Sequence, residues 1–255
     1  MYRASKANPP TEGNDAVLTL PILMYHKVDE IPPGARHVRN YVLPEQFDAQ
    51  LTALSRWGFT FVSIGDWLDF REGRRKPPRR PIAITFDDGY QSNHDIAWPI
   101  LRRHSATATL FLVADLIGGT NRWDVDELQE PLLGPVEIAA MQAGGIQFGS
   151  HTCTHRSLIG IPPPEALLEL TRSRATLEAL LGRPVVTLAY PYNNNNATVR
   201  ALARRAGYQA AVLGRGRVNA SWTSTWALRR FQVDSLTTVE ALGRRLARLR
   251  WLAGI

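Results

Sequence analysis

Residues 82–90 read Ile-Ala-Ile-Thr-Phe-Asp-Asp-Gly-Tyr: five strand-forming residues that run without a break into two carboxylates and a glycine. A short apolar run bounded by a turn signal is the mark of a parallel strand buried on both faces. A helical stretch over 93–104 follows at once, so the segment reads as the first half of a βα unit, with Asp87 and Asp88 at the strand's C-terminal end. In barrels and open α/β sheets that end is where loops converge on a common mouth. The same alternation recurs along the chain. Strands are predicted at 18–25, 59–63, 82–86, 107–113, 146–150, 185–190, 209–213 and 228–233, and helices at 44–57, 93–104, 135–143, 163–181, 197–206 and 236–252. Pro44, Pro135 and the prolines at 162–164 suit first helical turns, and Gly58, Gly144, Gly182 and Gly207 suit helix ends. The pattern is that of βα units around a mostly parallel sheet or barrel.

Composition bounds the reading. A chain of 255 residues with 44% hydrophobic content is long enough to bury a core in one domain without disulfides. Cys153 is the only cysteine, which excludes an intrachain disulfide and a thiolate-rich zinc site. Thirty basic against 23 acidic residues give a net charge of +7. The arginines are spread along the chain and no recognition motif accompanies them, so no nucleic-acid partner is expected. The dense cluster at 71–80 contains two prolines and a glycine and reads as a solvated loop. No apolar run is long enough for a transmembrane helix, and the polar residues 1–17 lack the apolar core of a signal peptide. They read as a disordered tail ahead of one domain at 18–255, with cytoplasmic residence expected if Met1 is the natural start. The helix at 236–252 places Val239, Leu242, Leu246 and Leu249 on one face, for docking on the fold or, less favoured, on an anionic membrane.

The chemistry rests on two segments. Adjacent carboxylates after an apolar strand are costly unless a cation answers them, which implies a metal or an arginine near Asp87 and Asp88. The second segment, Gly149-Ser150-His151-Thr152-Cys153-Thr154-His155, again follows a β-like run. Two imidazoles four apart on one side of a helical turn can share a cation. Threonine after the first histidine excludes the metalloprotease signature, and Cys153 reads as a small apolar side chain facing the core. Together the segments supply two histidines and one carboxylate for a metal with an open position, with a second carboxylate beside it for proton transfer.

Here the sequence resembles the polysaccharide deacetylases of carbohydrate esterase family four, over most of the chain from about residue 21 to 233. Thr85-Phe86-Asp87-Asp88-Gly89 matches the family's first motif and His151-Thr152-Cys153-Thr154-His155 its second. The resemblance implies a distorted (β/α) barrel of about seven βα units in a single domain. It also implies Asp87 as general base and a divalent metal held by Asp88, His151 and His155, zinc above cobalt or nickel. The substrate implied is an N-acetylated glycan. Ala189-Tyr190-Pro191-Tyr192-Asn193 stands where the family has Arg-x-Pro-Tyr-Gly, and with Pro21-Ile22-Leu23-Met24-Tyr25-His26 it is similar to the poly-N-acetylglucosamine deacetylase branch. The backbone N–H of Tyr192 resembles the family's oxyanion donor.

Two departures define the open questions. The motif-three arginine that orients the catalytic aspartate is missing, and Arg230, ahead of Arg229, is the candidate replacement. The late histidine that supplies the general acid is also missing, since no histidine follows His155. His26, at the end of the first predicted strand, is the candidate for that proton or for ordering substrate, with protonated Asp87 as the competing donor. Tyr90, Trp123 and Tyr192 are the expected substrate contacts. The rival readings are a deacylase for another linear amide or an O-acetyl ester, and a degenerate domain that binds glycan through those aromatics without turnover.

Overall fold

In the computed structural model, which describes residues 19–214, 216 and 218–252, the expected alternation closes into a barrel. The tail at 1–17 lies outside the described residues, as do the side chains of Arg248, Leu249 and Arg250. The strands are β1 (Ile22–Tyr25), β2 (Thr60–Val62), β3 (Pro81–Phe86), β4 (Thr109–Leu112), β5 (Gln147–Ser150), β6 (Thr187–Ala189), β7 (Ala210–Gly214) and β8 (Leu228–Gln232). Seven of them form a closed parallel ring in the order β1-β3-β4-β5-β6-β7-β8 and back to β1. β2 pairs with the first half of β3, on the side where β4 takes the second half. This is the distorted (β/α) barrel, in one domain, that the resemblance implies.

Seven helices accompany the strands: α1 (Pro44–Arg56), α2 (Ile64–Arg71), α3 (Trp98–Arg103), α4 (Pro135–Ala143), α5 (Pro163–Leu181), α6 (Ala197–Arg205) and α7 (Val239–Leu252). α2 is absent from the sequence reading. It is eight residues long and begins with a capping box in which Ser63 and Asp66 satisfy each other's backbone amides, a short-range signal hidden between a strand and the arginine-rich loop. α2 carries Trp67, fully buried in an inner core cluster with Leu20, Ile22, Ala83, Phe111, Val212 and Leu228. The helix expected at 93–104 divides into a π-helical turn, Asn93–Ala97, and α3. Pro99 lacks an amide hydrogen, so the regular ladder cannot run through it. The loop after α2 ties two of its arginines locally, Arg74 to Asp69 and Arg75 to Asp66. α7 buries Leu242 and Leu246 against the outer core, which is the docking reading of that helix.

Strand parity decides what faces the barrel's axis. Side chains two apart share a face, so Ala83 in the inner cluster puts Thr85 and Asp87 on the same inward column. Ile82, Ile84 and Phe86 pack outward against the helices. Leu228 lies in the inner cluster, and Arg230 follows it inward, one strand beyond β1. Among the described residues no helix is long and apolar enough to cross a membrane.

Candidate active site

Asp87 and Asp88 occupy the turn that ends β3, and both are buried, at 4% and 6% exposure. The chain turns sharply there, with Asp88 at φ 74° and Gly89 at φ 77°. Gly89 is required on two counts: the left-handed backbone favours it, and a Cβ at that position would lie 2.6 Å from Leu112 Cδ2. The turn sends the two carboxylates to different partners. Asp87 accepts two hydrogen bonds from Arg230, Nη1 to Oδ1 and Nη2 to Oδ2, each 2.6 Å. Arg230 is fully buried, and its Nη1 also donates to Thr85 Oγ1 at 3.2 Å. Burial pushes the Asp87 carboxyl up, yet the Arg230 guanidinium holds it below the usual carboxylate value. Of the two candidate replacements, Arg230 is therefore the one that reaches Asp87 and is not surface charge.

Asp88 faces the histidines. Its Oδ1 lies 3.4 Å from His151 Nε2 and 3.4 Å from His155 Nε2, and that buried oxygen has no hydrogen-bond partner. Suitable donor atoms of the three residues all fall within 4.8 Å of one another. Two atoms each about 2.1 Å from a tetrahedral zinc-like ion are about 3.4 Å apart, so the spacing fits a common cation better than direct hydrogen bonds. His151 Nδ1–H donates to Ala189 O, 2.8 Å away, which leaves Nε2 for the shared centre. Burial, assisted by neighbouring His155, brings His151 down to about 4, so its imidazole is neutral near pH 7, as a ligand must be. The residues present therefore fit a divalent ion.

The segment holding the histidines is not the helical turn expected from their spacing. Residues 151–155 form an irregular turn with Thr152 at φ 69° and His155 at φ 63°. A left-handed β-branched residue is a genuine outlier costing on the order of 1–3 kcal/mol. Cys153 in this turn is fully buried, and burial pushes its thiol up to about 12.

Around the pocket, Trp123 stacks on His155 with ring centroids 4.5 Å apart, and Tyr192 meets the same imidazole edge-on at 4.7 Å. These rings, with Ile161, Gly160 and Arg156, line an open groove of about 400 Å³ beside His155. Tyr192 is 52% exposed and left-handed, as is Asn193, whose side chain accepts from the Gly214 amide. Tyr90 is corrected. It is 2% exposed and lies under Lys27 Nζ, 4.3 Å from its ring centroid, so it has no face for a sugar to stack on. Lys27 in turn contacts Tyr41 and Glu130, which ties the Trp123-bearing loop to β1. His26 follows β1 directly, at the end where that strand reaches the mouth, and its carbonyl accepts from Asn93 Nδ2 at 2.8 Å. Sequence reasoning missed Thr85 as a hydrogen-bond partner of Arg230, although the inward parity of Thr85 and Asp87 could have signalled it.

A parallel barrel whose strand ends gather an arginine-clamped carboxylate beside an Asp-His-His cluster defines a hydrolase of the deacetylase class. The chain belongs to the polysaccharide deacetylase family, whose model matches residues 74–211, more than half of its length. Among curated proteins it is 30% identical, over 141 residues, to the poly-beta-1,6-N-acetyl-D-glucosamine N-deacetylase of Staphylococcus epidermidis. That alignment covers 51% of this chain and 47% of the relative, so the chain spans about half that enzyme's length. Among solved structures, a polysaccharide deacetylase from Bacillus cereus superposes with a TM-score of 0.78 at 26% identity, over 90% of this chain and 69% of the other. A Streptococcus pyogenes deacetylase solved in complex with acetate shares the fold at a TM-score of 0.79 and 24% identity, covering 90% and 98%.

Proposed function

We propose that the protein is a divalent-metal-dependent N-deacetylase of amino-sugar polymers or oligosaccharides, with Asp88, His151 and His155 as ligands and Asp87 as general base. The observation that carries this reading is the divergence of two adjacent carboxylates, one turned to an unpartnered position between two imidazoles and the other clamped by a buried arginine. A bound ion, zinc ahead of cobalt or nickel, would polarise the acetyl carbonyl and lower the pKa of the attacking water from 15.7 towards about 7.

The chain's own residues do the rest. Arg230 keeps Asp87 ionised and fixes both of its oxygens, so the carboxylate is ready to take a proton from the water. The Tyr192 amide is the candidate donor to the developing oxyanion. A departing amine needs a proton, and His26 or the newly protonated Asp87 is the candidate to return one. Trp123 and Tyr192 flank the groove and offer apolar ring surface to a pyranose. The poly-beta-1,6-N-acetyl-D-glucosamine relative makes that polymer the first substrate to test. An intact clamp on Asp87 favours turnover over mere glycan binding, since a binding module has no use for a buried ion pair held beside the cluster.

Acetate release from N-acetylglucosamine oligosaccharides, with acetylated xylan in parallel, tests the proposal. Release from the amide substrate that is abolished by chelation and restored by Zn²⁺, Co²⁺ or Ni²⁺ is expected. Chelator-resistant activity would remove the metal, and release from xylan alone would move the substrate to O-acetyl esters.

A further inference from the structure

The irregular turn at 151–155 is strained, yet every backbone N–H in it has an acceptor. His151 donates to Leu112 O at 2.7 Å, Thr152 to Ser150 Oγ at 3.1 Å and His155 to Thr152 Oγ1 at 3.2 Å. The two amides between them converge on one side chain. Cys153 N–H and Thr154 N–H both donate to Glu169 Oε2, at 2.9 and 3.0 Å, and the Thr154 hydroxyl donates to Glu169 Oε1 at 2.7 Å. Glu169 belongs to α5, outside the barrel wall. On the same helix face, Arg172 holds Asp115, whose amide donates to Cys153 O at 3.0 Å. One turn on from Glu169, buried Ser173 contacts Ser150 Oγ at 2.9 Å.

We propose that Glu169 is a positioning residue for the metal centre. Its carboxylate holds the turn in the one shape that aims the Nε2 atoms of His151 and His155 at Asp88, and so sets affinity for the ion. The inference rests on the reading of Asp88, His151 and His155 as the ligand set. The physical case is that left-handed Thr152 and His155 persist only where their surroundings over-determine them. Three hydrogen bonds to a single carboxylate are charge-assisted, and without that acceptor two half-buried amides are orphaned. The turn then relaxes toward ordinary dihedrals and the imidazoles diverge. Outer partners of this kind commonly set 10- to 100-fold of a site's metal affinity.

The test uses the full chain stripped of metal and titrated with Zn²⁺ alone, and with Co²⁺ alone for its visible spectrum. Wild type is compared with Glu169→Ala, Glu169→Gln and Thr154→Val, and the metal-free forms are melted in parallel. Glu169→Ala is expected to bind about 10- to 100-fold more weakly with an altered Co²⁺ spectrum. Glu169→Gln keeps one oxygen for the two amides and falls between, and Thr154→Val changes least. Wild-type affinity and spectrum in Glu169→Ala overturn the proposal. Should that variant melt early, Glu169→Gln carries the test, and wild-type affinity there overturns it equally. Wild-type protein that takes up neither ion overturns the ligand reading, and this inference falls with it.

Discussion

Asp87 and His151 reach the same mouth from β3 and β5, strands separated only by β4, but their turns are restrained from opposite sides of the barrel wall. Asp87 is answered from within, by Arg230 reaching across beneath β1. The histidine turn is answered from without, by Glu169 and Ser173 of α5. The first restraint is charge against charge where water is excluded. The second is acceptor against backbone donor at the seam between sheet and helix. The difference teaches that the Asp87 half of the site depends on an ion pair whose members stabilise only together, whereas the histidine half depends on a distributed network from which one bond can be lost at modest cost.

Arg230→Met strikes the inner restraint and should have the largest effect. It leaves a buried carboxylate without its partner and should destabilise the fold by about 3–5 kcal/mol, measured by denaturant unfolding. The pH dependence gives the sign. In wild type the depressed Asp87 value contributes stability above about pH 4, the unfolded carboxylate range, and that stability is lost as pH falls through the folded value. In the variant, burial is no longer opposed by the guanidinium, so the folded value rises and protonation relieves the fold. The stability gap between variant and wild type should narrow from pH 7 to about pH 5; a constant gap would mean that the guanidinium does not govern Asp87. Adding Asp87→Asn to Arg230→Met should recover most of the lost stability and leave activity absent.

The next effect separates the neighbouring carboxylates. Asp87→Asn should retain the ion and lower kcat by about 10²- to 10⁴-fold, whereas Asp88→Asn should lose the ion, as metal analysis of both proteins would reveal. Equal metal loss would merge their roles. The smallest effect tests the outer network. In Ser173→Ala, Ser150 Oγ keeps its bond from the Thr152 amide and Tyr208 keeps Leu170 O, so the cost should be about 1 kcal/mol. A loss as large as that of Arg230→Met would erase the contrast between the two restraints.

Much of the fold was legible because its signals are local. Pro135–Ala143 and Pro163–Leu181 match the predicted helices residue for residue, since a proline begins each and glycine follows each. α2 escaped because eight residues carry too few turns for a period to emerge, and its decisive feature is the Ser63–Asp66 reciprocal cap. At the site, residue types and spacing pointed to two histidines and one of the paired aspartates, the family resemblance singled out Asp88, and strand placement pointed to Arg230. Tyr90 was misjudged because an aromatic after such a turn looks the same in sequence whether it faces a groove or lies under Lys27. Glu169 was invisible for a related reason: a glutamate in an amphipathic helix reads as solvated surface until the fold brings two unpaired amides to it.

The pairing of Thr19–Leu20 with Asn219–Ala220 just before β1 has a topographic consequence. All the ring strands run parallel toward the mouth, so the chain enters the barrel at the opposite pole, where Asn219 latches Leu20 through its carbonyl. The latch and the groove beside Trp123 and Tyr192 therefore lie at opposite poles, so a change at Asn219 should loosen where the chain enters the barrel without touching the groove.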